Sequence, residues 1–129
     1  MGKLHLIVLA SIAYFVFSNP GRSAEIADLQ GRWALVAISG APTGSSSPSV
    51  HFEIKDIAIS GFDGCNSFAG SLDKPDAIIA GQRECAAGAP PFDVSDLVRN
   101  MRLATLVAGR LTVTLGPARQ QFEFSKQDR

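Results

Sequence analysis

Cys65 and Cys85 are the only thiols in this 129-residue chain, and three chemistries are open to such a pair. They can be joined as a disulfide, hold a metal, or supply a nucleophilic thiolate. A catalytic thiolate needs a neighbouring base. Beyond the first two dozen residues the only histidine is His51, which alternates with Glu53 and Lys55 on the polar side of an apolar run and reads as a solvated residue. A zinc site wants four Cys, His or carboxylate ligands at close spacing, and neither a CxxC nor an HxxH pair exists. An even cysteine count in a chain that opens with an export signal favours the disulfide. Two free buried thiols rank second, and catalytic or metal roles last. Closing a loop of about twenty residues is worth roughly 3 kcal/mol in the chain-entropy model.

The remaining reactive side chains are sparse. Asp63, Asp73 and Asp76 surround the first cysteine but lack the regular oxygen-ligand spacing of a calcium loop; beside Gly and Pro they read as turn residues. No glycine-rich phosphate cradle followed by Lys-Ser/Thr occurs, and no Gly-x-Ser-x-Gly elbow. Trp33 reads as a core anchor, and Asn66 as a hydrogen-bonding partner of loop backbone. The sequence therefore predicts no catalytic residue, no cofactor site and no metal site, and the expectation is that the protein is not an enzyme.

Residues 1–23 have the layout of a signal peptide. Lys3 is the positive n-region, Leu4 to Phe17 the apolar stretch, and Ser18-Asn19-Pro20-Gly21 the break. Fourteen residues rise about 21 Å as a helix, short of the roughly 30 Å hydrocarbon core, so an uncleaved anchor is the poorer reading. A cut after Ser23 puts Gly21 and Ser23 at the small-residue positions and leaves 24–129 as one domain. No cysteine stands directly after the apolar stretch to take a lipid. Cleavage removes Lys3 and Arg22 but no acid, so ten basic residues face twelve acidic ones, a net charge of −2. The bases are scattered, which argues against nucleic acid or an anionic membrane surface as partner. The expected compartment is the periplasm or the exterior of a bacterial envelope.

Alternation with period two dominates the domain. Val50, Phe52 and Ile54, then Ile57, Ile59 and Gly61, then Leu111, Val113 and Leu115, then Phe122 and Phe124 each mark a strand with one wet face. Gly116-Pro117-Ala118-Arg119 makes the last two a hairpin. Trp33 to Ile38 is apolar nearly throughout and suits a strand covered on both faces. Ala77 to Ala80 is a shorter candidate. Val94, Leu97, Val98, Met101 and Thr105 have helical spacing behind an Asp93 N-cap, predicting a helix from about Val94 to Leu106. Gly40 to Ser49 reads as a loop. Six or seven short strands and one amphipathic helix predict a mainly β (α+β) fold, an antiparallel curled sheet or small barrel with the helix packed on it.

The run Gly61-Phe62-Asp63-Gly64-Cys65-Asn66-Ser67-Phe68-Ala69-Gly70, preceded by Leu29-x-Gly31-x-Trp33-x-Leu35 and Phe52 and followed by Cys85, resembles the META domain, the HslJ-like family of exported or envelope-associated proteins. The likeness runs from about Leu29 to Ser125, and its family motif is Gly64, Cys65, Asn66, Phe68 and Gly70. Two positions depart from the family pattern. Leu72 stands where an aromatic is usual, and Gly81-Gln82-Arg83-Glu84 replaces a Thr-x-Met-Ala stretch before the second cysteine. The resemblance implies a compact β-rich domain with one helix and a link to heat-shock or stress response and virulence. It supplies no catalytic residues. Two functions follow as expectations: a non-catalytic envelope protein acting through protein contacts, or a small-molecule-binding barrel with an interior cavity. The large inward set of Trp33, Leu35, Phe52, Ile54, Ile59, Leu111, Val113, Phe122 and Phe124, with Val94, Leu97 and Met101 from the helix, leaves little room for a ligand and favours the first.

Overall fold

The computed structural model describes residues 22–43, 49–82, 85 and 90–127. The apolar run of the leader and residues 44–48 of the predicted loop lie outside them. Ten strands form one antiparallel sheet: β1 (Arg22–Ser23), β2 (Gly31–Ile38), β3 (Ala41–Pro42), β4 (His51–Lys55), β5 (Ala58–Phe62), β6 (Ser67–Ser71), β7 (Ile79–Ala80), β8 (Thr105–Val107), β9 (Arg110–Leu115) and β10 (Gln120–Gln127). Their order is β1-β8-β9-β10-β2-β4-β5-β6-β7, with β3 pairing β2 to one side. Among the described residues the two ends of this order are not paired with each other, so the sheet is curled but open. The barrel alternative is corrected accordingly.

Alternation puts apolar side chains on the inner face. Along one transverse row Trp33 pairs with Phe52, Phe52 with Gly61, Gly61 with Phe68 and Phe68 with Ala80. The neighbouring outer row joins Arg32, Glu53, Ser60, Ala69 and Ile79, all of them exposed. Residue spacing of two thus separates a dry face from a wet one. The long strand β10 lies between β2 and β9, with a bulge between Glu123 and Phe124. The inner face is dense with rings. Phe52 meets Phe124 edge-on at 5.0 Å, and Phe92 meets Phe122 at 5.4 Å, the geometry aromatic quadrupoles prefer. Trp33 is fully buried and donates its indole N–H to the Leu29 carbonyl at 2.9 Å. Leu35, expected inside, is only half-buried.

The helix is shorter than its periodicity suggested. Helix α1 covers Val94–Asn100, with the Asp93 carboxylate accepting from the Ser95 N–H, and a 3-10 turn follows at Met101–Leu103. Thr105 to Val107, read from sequence as the helix end and its margin, is strand β8. Two β-branched residues in three, ahead of an Ala108-Gly109 turn with positive φ at both positions, favour a tight hairpin with β9 over another helical turn. Val94, Leu97, Val98 and Met101 are buried as expected, and α1 packs on β9. Its Asp96 carboxylate accepts from the Gly116 N–H at 3.0 Å, tying the helix to the β9–β10 turn.

Candidate functional site

The motif glycines do different jobs. Gly64 has φ of +102°, a left-handed conformation that L side chains avoid, and it turns the chain between β5 and β6. Gly61 lies inside β5, where a Cβ would collide with the His51 carbonyl oxygen and come within 2.7 Å of the Phe52 Cα. It is there to let two backbones approach. Gly70 is also a strand residue, in β6, facing the Ile78 side chain. The sequence placed Gly61 in a strand and the turn at Asp63-Gly64, and the structure agrees; beyond the turn the run returns to strand at Ser67.

Asp63 organises that turn. It is the one buried charged residue among those described, 7% exposed. Its Oδ1 accepts from the N–H groups of Cys65 (2.9 Å) and Asn66 (2.7 Å), while its own N–H donates to the Asn66 carbonyl at 3.0 Å. A carboxylate held by backbone donors two and three residues on is an Asx turn. The Asp63-Gly64 pair announced the turn, but its burial could not be read from local composition. Asn66 joins this turn through its own main-chain N–H and carbonyl, and its side-chain Nδ2 donates towards the Cys65 Sγ at 3.3 Å.

Cys65 and Cys85 are bonded as a disulfide with their Cα atoms 5.5 Å apart, so neither sulfur is a nucleophile. Phe68 is buried on the inner face of β6. His51 is exposed on β4 and stacks beside Phe62, ring centroids 6.1 Å apart. The three acids near the cysteines have separate partners. Asp63 holds the turn, Asp73 accepts from the Ser71 hydroxyl, and Asp76 pairs with Arg99 at 2.8 Å. No group of three or more potential metal ligands occurs among the described residues. Of the titratable groups, Asp73 is shifted: the Ser71 hydroxyl bond holds its carboxyl below the ordinary value against a small opposing effect of burial.

Two surface grooves flank α1. One, of about 620 Å³, runs between α1 and the β9–β10 turn and mixes Asp96, Arg99 and Arg119 with Phe92 and Leu115. The other, of about 490 Å³, lies between the Asp63 turn, Ile78 and the start of α1. Both open to solvent, and neither is the interior cavity a ligand-binding barrel would need.

A curled antiparallel sheet with one helix across its inner face and a disulfide-braced turn at one end defines a small β-rich domain. The META domain family model matches residues 25–89, and the chain belongs to that family. Neither curated proteins nor solved structures gave a match. The matched span holds β2 to β7 and the disulfide, whereas α1 and β8 to β10 lie beyond it and complete the same core. A disulfide-bonded META domain is consistent with life outside the cytoplasm. Among the described residues no helix is long and apolar enough to cross a membrane.

Proposed function

We propose that this protein is exported to the bacterial envelope, where it serves in stress through contacts with other proteins and without catalysis. The observation that carries this reading is the open end of the sheet at β7. That strand pairs with β6 on one side and with no other strand among those described. Its Ile79 is 77% exposed, the most exposed large apolar side chain described. An unpaired strand edge with an outward apolar side chain is a template for adding an extended segment. Every pairing in the sheet is antiparallel, so an extended segment of another exported protein, laid antiparallel along β7, would continue it. The nearby disulfide anchors this end against fraying.

The test places a photo-crosslinking side chain at position 79 in the exported protein and compares heat-stressed with unstressed cells. The expected outcome is a discrete crosslink to another envelope protein, stronger under stress and lost when Ala80→Pro blocks the edge. A crosslink only to a second copy, or none, would overturn the proposed partner. Hydrolase or thiol-oxidoreductase turnover that vanishes in Cys65→Ala or His51→Ala would overturn the non-catalytic reading. The second reading, a small-molecule binder, rests on the 620 Å³ groove beside α1; it predicts ligand-induced shifts at Arg99 and Arg119 and none at Ile79.

A further inference from the structure

Strand β7 is anchored from beyond its own two residues. Upstream, Ile78 is half-buried against the core and faces Gly70 of β6. Downstream, Cys85 is bonded to Cys65 in the β5–β6 turn. Between these anchors Ile79, Ala80, Gly81 and Gln82 are all exposed, so their side chains add little buried area. Their ties to β6 are made by the main chain. Phe68 pairs with Ala80 and Ala69 with Ile79, and the Gly81 N–H donates to the Ser67 carbonyl at 3.0 Å. A few exposed main-chain bonds do not outweigh the entropy of ordering the residues that make them.

We infer that the Cys65–Cys85 bond is a redox latch on β7: a protein dithiol opens it, β7 leaves β6, and the strand edge proposed above for docking is dismantled. The inference rests on that docking reading and names its control. The two sulfurs are not equivalent. Cys65 is 8% exposed and Cys85 only half-buried, so Cys85 is the more accessible to an incoming thiolate. The Asn66 Nδ2 donates towards the Cys65 Sγ at 3.3 Å. That bond strengthens as negative charge develops on the sulfur, which makes Cys65 the better leaving group. One thiolate of the dithiol attacks the Cys85 Sγ, the S–S bond breaks, and Cys65 departs as a thiolate. The second thiol attacks the mixed disulfide and Cys85 departs in turn. The dithiol ends as a disulfide, and its two protons and two electrons end on Cys65 and Cys85.

The change stays local. The β5–β6 turn keeps its own ties, because the Asp63 Oδ1 accepts from the N–H groups of Cys65 and Asn66 whether or not the sulfurs are joined. Phe68 stays buried on the inner face, and the ring pairs Phe52–Phe124 and Phe92–Phe122 lie outside the crosslinked loop. A partner strand laid along β7 would lose its template and the Ile79 contact together.

Amide exchange followed by NMR on the protein as recovered from cells, before and after reduction with excess dithiothreitol, decides the matter. The Gly81 amide should be protected in the oxidised protein and exchange within about tenfold of an unstructured amide in the reduced one. Amides along the β9–β10 ladder should stay protected, and Trp33 emission should not move. A Gly81 amide still protected after reduction, or already unprotected before it, would overturn the latch. Loss of the β9–β10 ladder together with Gly81 would overturn it too, since the bond would then brace the whole fold. Glutathione, a monothiol that has no second thiol to release itself, should be trapped on Cys85; an adduct on Cys65 would overturn the direction of attack. The crosslink from position 79 should vanish on reduction, and one that persists would overturn the control of docking. If neither state gives a crosslink, the docking reading fails while the exchange result still decides the latch.

Discussion

Breaking the Cys65–Cys85 bond is the perturbation whose size follows most directly from the structure. The bond spans twenty residues of sequence. In the chain-entropy model a loop of that size removes about 11 cal/mol/K from the unfolded chain, or about 3.3 kcal/mol at room temperature. That is a large share of the roughly 5–15 kcal/mol that holds a domain of this size together. The double variant Cys65→Ala/Cys85→Ala should therefore unfold about 15 °C below the parent. Trp33, the sole tryptophan and fully buried, is the reporter: its emission follows the opening of the core during urea titration. With a slope of about 1.1–1.5 kcal/mol/M, the midpoint should fall by about 2–3 M. The slope itself should rise, since the uncrosslinked chain exposes more surface on unfolding. Treatment of the parent with reductant should reproduce the shift, because it removes the constraint and leaves the side chains in place. A midpoint shift below about 0.7 M, equivalent to less than about 1 kcal/mol, would refute the loop-closure argument. A large shift in the alanine variant with none on full reduction would assign the loss to packing at Cys65, which is 8% exposed.

Two further outcomes test the local physics. Gly61→Ala should cost about 1–3 kcal/mol in urea titration, because its Cβ would collide with the backbone of β4, which cannot swing aside as a side chain tip can; an unchanged midpoint would show that β4 and β5 separate freely. Asp73 has a folded-state carboxyl held below its ordinary value by the Ser71 hydroxyl, so its stabilisation is present above the unfolded-state value and is lost as pH falls through the folded one. In a carboxyl NMR titration Ser71→Ala should move the Asp73 midpoint upward, and an unmoved midpoint would rule out the hydroxyl as the cause.

The strands legible from the sequence are those whose alternation uses large apolar residues. Phe52 and Ile54, Leu111 and Val113, and Phe122 and Phe124 are all buried on the inner face. Strand β6 was hidden because Ser67-Phe68-Ala69-Gly70-Ser71 has one large apolar residue and the composition of a loop. Its ladder with β5, and not its own propensity, makes it a strand. Strand β8 was hidden for the opposite reason. Val94 to Met101 sets up a helical stripe that Thr105 continues in register, while the Ala108-Gly109 turn and pairing with Leu111 decide the conformation of Thr105 to Val107. The pairing of Cys65 with Cys85 could be ranked first from their number and the leader. The burial of Asp63 could not be anticipated, because it depends on where the β5–β6 turn sits against the rest of the fold.

The division of the molecule also bears on where its function resides. The family match ends at residue 89, but the rings that fill the inner face come from both sides of that boundary: Phe52 packs on Phe124, and Phe92 on Phe122. The matched half is therefore not a separate folding unit, since its inner face would be left bare without β10 and α1. Within that half, the motif residues are occupied with architecture. Gly64 takes a positive φ, Asp63 beside it binds backbone, Cys65 is crosslinked and Phe68 is buried. Together these residues set the shape of the sheet's end. Among the described residues, the large apolar side chain that this end exposes is Ile79. Recognition there would use main-chain pairing and a single apolar contact.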